Sequence, residues 1–183
     1  MTELHAGRLL VATPLLDDPN FRRTVVLLCS HDAHGAFGLV LNRPLEAAVV
    51  DLAPEWRGFV TAPPVLFAGG PVDRAQAFAL GWSARTRGES WWTPIGGGVG
   101  LLSLEGEPDA LEDIEQVRLF AGYAGWGAGQ LEGEVSEEAW FVVDAAPGDA
   151  FSARPARLWH EVLGRQRGEL RLFAHFPPDP RLN

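Results

Sequence analysis

The sequence contains no lysine, and all 15 of its basic residues are arginine. This absence excludes a Walker-type phosphate loop, a Schiff-base enzyme and any mechanism whose acid or base is an amine, because each needs a lysine side chain. Cysteine is almost missing as well. Cys29 stands alone, so no internal disulfide forms, which suits a reducing compartment better than a small secreted domain. Long apolar runs are also lacking: stretches such as Val25 to Cys29 cover only a few residues, against the roughly 20 that span a bilayer. Met1 to Leu16 shows no basic region leading into an apolar stretch, and Arg8 interrupts it, so no signal peptide is expected. The chain is expected to be soluble and cytoplasmic, with no membrane association.

What is present describes a globular domain. The 183 residues are 46% hydrophobic and 21% charged, and a fold of this size buries about 70% of the surface its unfolded chain exposes without needing a metal or disulfide. A single domain over residues 1–183 is expected. Acids outnumber arginines 24 to 15, a net charge of −9. The excess is concentrated in residues 101–153, where twelve acids face only Arg118, whereas 154–183 carries six arginines and three acids. Nucleic-acid binders gain most of their affinity by neutralising phosphates, so direct nucleic-acid binding is disfavoured.

Short runs rich in β-branched residues, bounded by Pro, Asp and Asn, predict buried strands at Leu9 to Ala12, Thr24 to Ser30 and Ala36 to Asn42, the last two joined as a hairpin through His31 to Gly35. Further strands are expected at Val65 to Ala68, Ala75 to Leu80, Val99 to Leu104, Val117 to Tyr123, Trp140 to Val143 and Leu170 to His175. Helices are expected at Ala47 to Glu55, Glu107 to Glu115, Gly129 to Glu137 and Arg154 to Arg165. Gly96 to Gly98 marks a hairpin or loop. Adjacent strands with helices interspersed late point to the α+β class.

Three blocks carry a resemblance. Gly7-Arg8-Leu9-Leu10-Val11-Ala12-Thr13-Pro14, continuing through Asp18-Pro19-Asn20-Phe21-Arg22-Arg23 to Gly38-Leu39-Val40-Leu41-Asn42-Arg43-Pro44, is similar to the opening of the YqgE/AlgH proteins. Gly69-Gly70-Pro71-Val72 resembles their central signature, and Gly122-Tyr123-Ala124-Gly125-Trp126-Gly127-Ala128-Gly129-Gln130-Leu131-Glu132 the third; the ending Pro178 to Asn183 is similar too. The resemblance implies an α+β domain whose branched, strongly bent, mixed sheet curls into a partial barrel flanked by helices. It implies little chemistry, since the family has no agreed activity and the AlgH name reflects a proposed role in regulating alginate production. Where relatives often carry a histidine after the strand that follows the Gly-Gly-Pro-Val block, this chain reads Leu80-Gly81-Trp82.

The residues offer several constellations and complete none of them. Cys29, His31 and His34 lie within six residues, but structural zinc sites combine two separated ligand pairs, and here only Asp32 or His175 remains to fill a shell; no metal and no cofactor is expected. Residues two apart on a strand share a face, so Cys29 and His31 approach each other if the strand persists, although apolar surroundings raise a thiol pKa. The glycines of 122–129 miss the dinucleotide spacing and are crowded by Glu132, Glu134, Glu137 and Glu138, which repel phosphate. Arg22, Arg23 and Arg43 suit bidentate capture of a carboxylate or phosphate, or Arg43 and Arg22 fix the fold by pairing with Asp17, Asp18 or Asp73. Trp82 with one of Trp91 and Trp92 is a candidate exposed patch.

The expected function is therefore non-enzymatic, through an unknown protein partner or a small-ligand pocket, with no catalytic residue assigned. The ligand-binding candidates are His31, Asn42, Arg43, Gly69, Gly70, Trp126 and Gln130. Two alternatives are a small-substrate enzyme of hydrolase type, using His31 with Cys29 or an acid, and a transcriptional regulator.

Overall fold

A computed structural model describes residues 3–85, 90–105 and 113–177. The first four strands are β1 (Arg8–Ala12), β2 (Val25–Asp32), β3 (Gly35–Val40) and β4 (Pro44–Ala48). After α1 (Val49–Leu52) come β5 (Val65–Ala68), β6 (Val72–Trp82), β7 (Trp92–Gly96), β8 (Val99–Leu102) and β9 (Gln116–Gly127). The chain then forms α2 (Gln130–Ser136), β10 (Trp140–Asp144), α3 (Leu158–Gly164) and α4 (Leu170–Phe173). No helix among the described residues is long and apolar enough to cross a membrane.

The main path of the sheet runs β10-β1-β2-β3-β9-β6-β8-β7, and β9 is where it branches. The second half of β9 pairs antiparallel with β3, Gly127 opposite Gly35. Its first half pairs antiparallel with β6, and Phe120 and Ala121 also lie parallel to Phe67 and Ala68 of β5, which carries β4 on its other side. The sheet curls into a half-barrel until the chain beside β1 meets the end of β7, where a Cβ placed on Gly7 would lie 3.4 Å from the Ile95 carbonyl.

Both faces of β1 and β2 are covered, which is why their sequences read as unbroken apolar runs and not as alternation. Leu9, Val11, Val25, Leu27, Cys29, Leu39 and Leu41 share one core with Trp159, Val162 and Leu163 of α3. Leu10, Ala12, Val26, Leu28 and Val40 share a second core with Trp126, Leu131 and Trp140, on the side covered by α2. A third cluster beneath α1 holds Val49, Trp56, Ala79, Trp92, Leu102, Val117 and Leu119.

Several expectations need correction. Leu170 to His175 is not a strand: Leu170, Phe173 and Ala174 pack together on the first core, a spacing that only a helix presents on one side. The helix expected over Ala47 to Glu55 shrinks to α1, because Pro54 opens a separate 3-10 turn (Pro54–Trp56), and β4 occupies the start of the segment. Pro155 has the same effect on Arg154 to Arg165, where a 3-10 turn (Pro155–Arg157) precedes α3. Gly122, Gly125 and Gly127 lie within β9, whereas Gly129, at φ 74°, is the residue that precedes α2. Gly97 and Gly98, at φ 59° and 82°, make the two-residue turn between β7 and β8, a conformation that favours glycine at both positions. Trp92 is buried and Trp82 and Trp91 are half-buried, so the three do not form an exposed patch. The expected helix over Glu107 to Glu115 lies mostly outside the described residues, and Pro178 to Asn183 entirely so.

Candidate functional site

The candidate residues fall in two neighbouring regions of the sheet and one corner beside a helix. In the corner, the β2–β3 hairpin and the end of β9 meet α2. His31 Nε2 lies 2.8 Å from Glu132 Oε1, and the Glu132 carboxyl is held below its usual range by a backbone N–H and then by this histidine. Trp126 donates its indole N–H to Glu134 Oε2 at 2.8 Å, and Trp140 does the same. Gln130 donates to Glu134 Oε1 at 3.0 Å while its own Oε1 accepts the Gly127 N–H. Trp126 and Gln130 are thus engaged with Glu134, an arrangement that anchors α2 to the second core. Sequence reasoning does not single out Glu132 or Glu134 as a partner; the usable signal is the i,i+4 spacing of Gln130 and Glu134 after a strand end.

The hairpin also separates two residues expected to work together. Leu28 pairs with Gly38 but Ser30 pairs with Phe37, a β-bulge that leaves Cys29 as the extra residue. Beyond the bulge the faces exchange. Cys29 remains in the first core with Leu27, whereas His31, opposite Ala36, turns to α2 and Glu132. Burial pushes the Cys29 thiol far above its ordinary value. The shared face expected of Cys29 and His31, for catalysis or for a metal, does not exist.

Gly69 and Gly70 form the second region, a backbone crossing. A Cβ on Gly69 would stand 2.2 Å from the Gly122 carbonyl oxygen, and one on Gly70 2.1 Å from the Tyr123 carbonyl carbon. Gly122 itself has φ 71°. The Gly-Gly-Pro-Val segment therefore passes directly over the bend of β9, held by Gly69 N–H to the Ala121 carbonyl and by Val40 N–H to the Gly69 carbonyl.

The third region adjoins it through a hydrogen bond from Ala68 N–H to the Arg43 carbonyl. Asn42, 6% exposed, accepts from Val25 N–H at 2.9 Å and donates to the Arg23 carbonyl at 2.8 Å, clamping the entry to β2. Arg43 donates to the Arg22 carbonyl. Arg23, at φ 56°, lies with its guanidinium 4.4 Å from the Trp159 ring centre and donates to the Phe176 and Pro177 carbonyls. His160 Nδ1 bonds the Ala174 carbonyl at 2.8 Å, leaving Nε2 to accept from Arg23 at 3.4 Å. Burial, and after it the charge of Arg22, lowers the pKa of both Arg23 and Arg43. Among the described residues, neither Arg22 nor Arg43 forms the expected ion pair with Asp17, Asp18 or Asp73; the Asp18 carboxylate accepts the Asn20 N–H.

With this geometry in view, a family model described as AlgH-like matches residues 9–171. The chain belongs to the AlgH-like family. A UPF0301 protein of Streptomyces coelicolor is 48% identical, with the match covering 100% of this chain and 98% of the relative. One from Thermobifida fusca is 44% identical over 97% and 94% of the two chains. The crystal structure of DIP2367 from Corynebacterium diphtheriae superposes on this AlgH-like chain with a TM-score of 0.90 at 31% identity, covering 96% and 94%. The solution structure of the AlgH protein from Pseudomonas aeruginosa gives 0.71 at 28%, covering 96% of each. The half-barrel is the AlgH-like fold, and the blocks that carried the resemblance now have places in it: the Gly-Gly-Pro-Val and Gly-Tyr-Ala-Gly-Trp blocks make the crossing over β9, and the opening block builds β1 to β3 and the arginine edge.

Proposed function

We propose that this AlgH-like protein acts by binding a small ligand or a protein partner, in a regulatory capacity, and not by thiol chemistry. The observation that carries this reading is the β2 bulge: it sends Cys29 into the core and His31 to the opposite face. A buried thiol without a base does not become a nucleophile. The recognition residues are drawn from His31, Asn42 and Arg43; His31 and Arg43 are partly exposed, and the buried Asn42 holds the backbone beside Arg43, while Gly69, Gly70, Trp126 and Gln130 support them by fixing the backbone crossing and α2. Whether the regulation extends to transcription is a narrower proposal, disfavoured for direct DNA contact by the net charge of −9.

The His31–Glu132 pair favours one second reading, an acid–base enzyme in which Glu132 orients the imidazole. Thermal-shift screening of metabolites separates the two. The expected result is a metabolite that raises the melting temperature of the wild type, by less in His31→Ala or Arg43→Ala, and is recovered unchanged. Chemical conversion of such a metabolite, lost in His31→Ala, supports the enzyme instead.

A further inference from the structure

Arg22, Arg23 and Arg43 share one edge of the fold, and among the described residues no acid pairs with any of them. Several other arginines find carboxylates: Arg8 pairs with Asp144, Arg85 with Asp113, Arg154 with Glu161 and Arg165 with Asp149. In a chain where acids outnumber arginines 24 to 15, the lack of a carboxylate partner at this edge does not reflect scarcity.

The edge is also held in shape before anything binds. Asn42 ties the backbones of Arg23 and Val25 together, Arg43 is fixed by the Arg22 carbonyl, and Arg23 is pinned between Trp159, His160 and the Phe176 carbonyl. Arg23 has both terminal nitrogens engaged, so it contributes chiefly charge. Arg43 uses one N–H on the protein and Arg22 has none of its side-chain donors engaged among the described residues, which leaves two forks for an incoming oxyanion. Like charges held close, one of them half-buried, cost free energy until a counter-anion arrives.

We propose that Arg22 and Arg43, backed by Arg23, bind a doubly charged oxyanion, the phosphate of a small phosphorylated ligand. A carboxylate carries a single charge. A phosphate monoester carries about −1.5 to −2 and three acceptor oxygens, enough to engage both forks at once. A nucleic-acid backbone presents phosphodiesters of single charge, and its further phosphates meet a surface of net charge −9, which selects against a polymer. This inference rests on the binding function proposed above and names the ligand class of its arginine edge.

The test is a titration of the full chain with inorganic phosphate at constant ionic strength, followed by amide NMR, with acetate as the single-charge control. The expected result is a saturable shift of the Arg22, Arg23, Asn42 and Arg43 amides, and an affinity for acetate about tenfold weaker or less. Arg22→Ala, at an exposed position, should bind phosphate about tenfold more weakly, the loss expected for one charge-assisted contact, and Arg43→Gln should act likewise. Phosphate shifts that are absent, that are matched by acetate, or that survive Arg22→Ala overturn the proposal. A stabilising metabolite found without any phosphate response overturns the ligand class and leaves the binding function standing; metabolite turnover overturns both.

Discussion

Gly70→Ala is expected to abolish folding, recovered as insoluble protein or as a chain without a cooperative melt. A methyl group there would lie 2.1 Å from the Tyr123 carbonyl carbon and 2.2 Å from its oxygen, with φ at 157°. Atoms do not approach so closely, and the obstacle is backbone at the branch of the sheet and not a side chain that can swing away. Relief requires separating the start of β6 from β9, whose pairing is the longest among the described residues. The cost should exceed about 5 kcal/mol, comparable to the whole stability of many domains. Gly133→Ala supplies the contrast within the same protein. It lies inside α2 with nothing within 4 Å of its added methyl, so it should stabilise by about 0.5–1 kcal/mol through helix propensity. Chemical denaturation of the two variants beside the wild type checks both signs. A soluble Gly70→Ala with a wild-type midpoint would remove the crossing from its structural role.

Arg118→Met is expected to destabilise the fold by about 2–4 kcal/mol, although it takes a charge out of the interior. Arg118 is 1% exposed and has no carboxylate partner among the described residues; it donates to the Ala62, Ala150 and Ser152 carbonyls and lies 4.3 Å from the Phe67 ring centre. Burial lowers its pKa from 12.5 to about 10, a penalty of roughly 3 kcal/mol on the charged form that methionine would remove. Against this gain stand three carbonyls left without a donor at about 1–3 kcal/mol each and the lost ring contact. The deficit should outweigh the relief. The structure explains why an arginine occupies a strand core: it ties the loop before β5 and the turn after β10 to the start of β9. A shift in denaturation midpoint at constant m-value checks the magnitude. An Arg118→Met protein as stable as wild type would mean that those carbonyls find other donors.

Arg118 also shows what sequence reading reaches and what it misses. The strand containing it is legible because Val117, Leu119 and Phe120 surround it with apolar β-formers, but nothing local reveals that its partners lie 32 to 56 positions away. The strands β1, β2, β3 and β5 are readable for the same reason, since burial on two faces leaves a continuous apolar signature. β4 escapes notice because it is a partly exposed edge strand beginning at a proline, and β7 because Pro94 and Gly96 interrupt its pattern.

The candidate site is legible as residue types and not as geometry. Gly69 and Gly70 stand out as a block, yet only the path of β9 beneath them shows that they permit a close crossing. His31 and Cys29 look like partners under strict strand alternation, and a one-residue bulge is invisible to that rule. The arginines at 22, 23 and 43 are noticeable as a group, but whether acids neutralise them depends on where Asp17, Asp18 and Asp73 fall in space.

The bulge in β2 separates Cys29 from His31 and so counts against thiol chemistry, and the reactivity of Cys29 tests it most directly. With native protein and iodoacetamide near neutral pH, Cys29 should remain unmodified, because burial both hides the thiol and raises its pKa far above ordinary cysteine. Labelling should appear only when denaturant unfolds the chain. Rapid, stoichiometric modification of the folded protein, slowed by His31→Ala, would place thiol and imidazole together and contradict the proposed function.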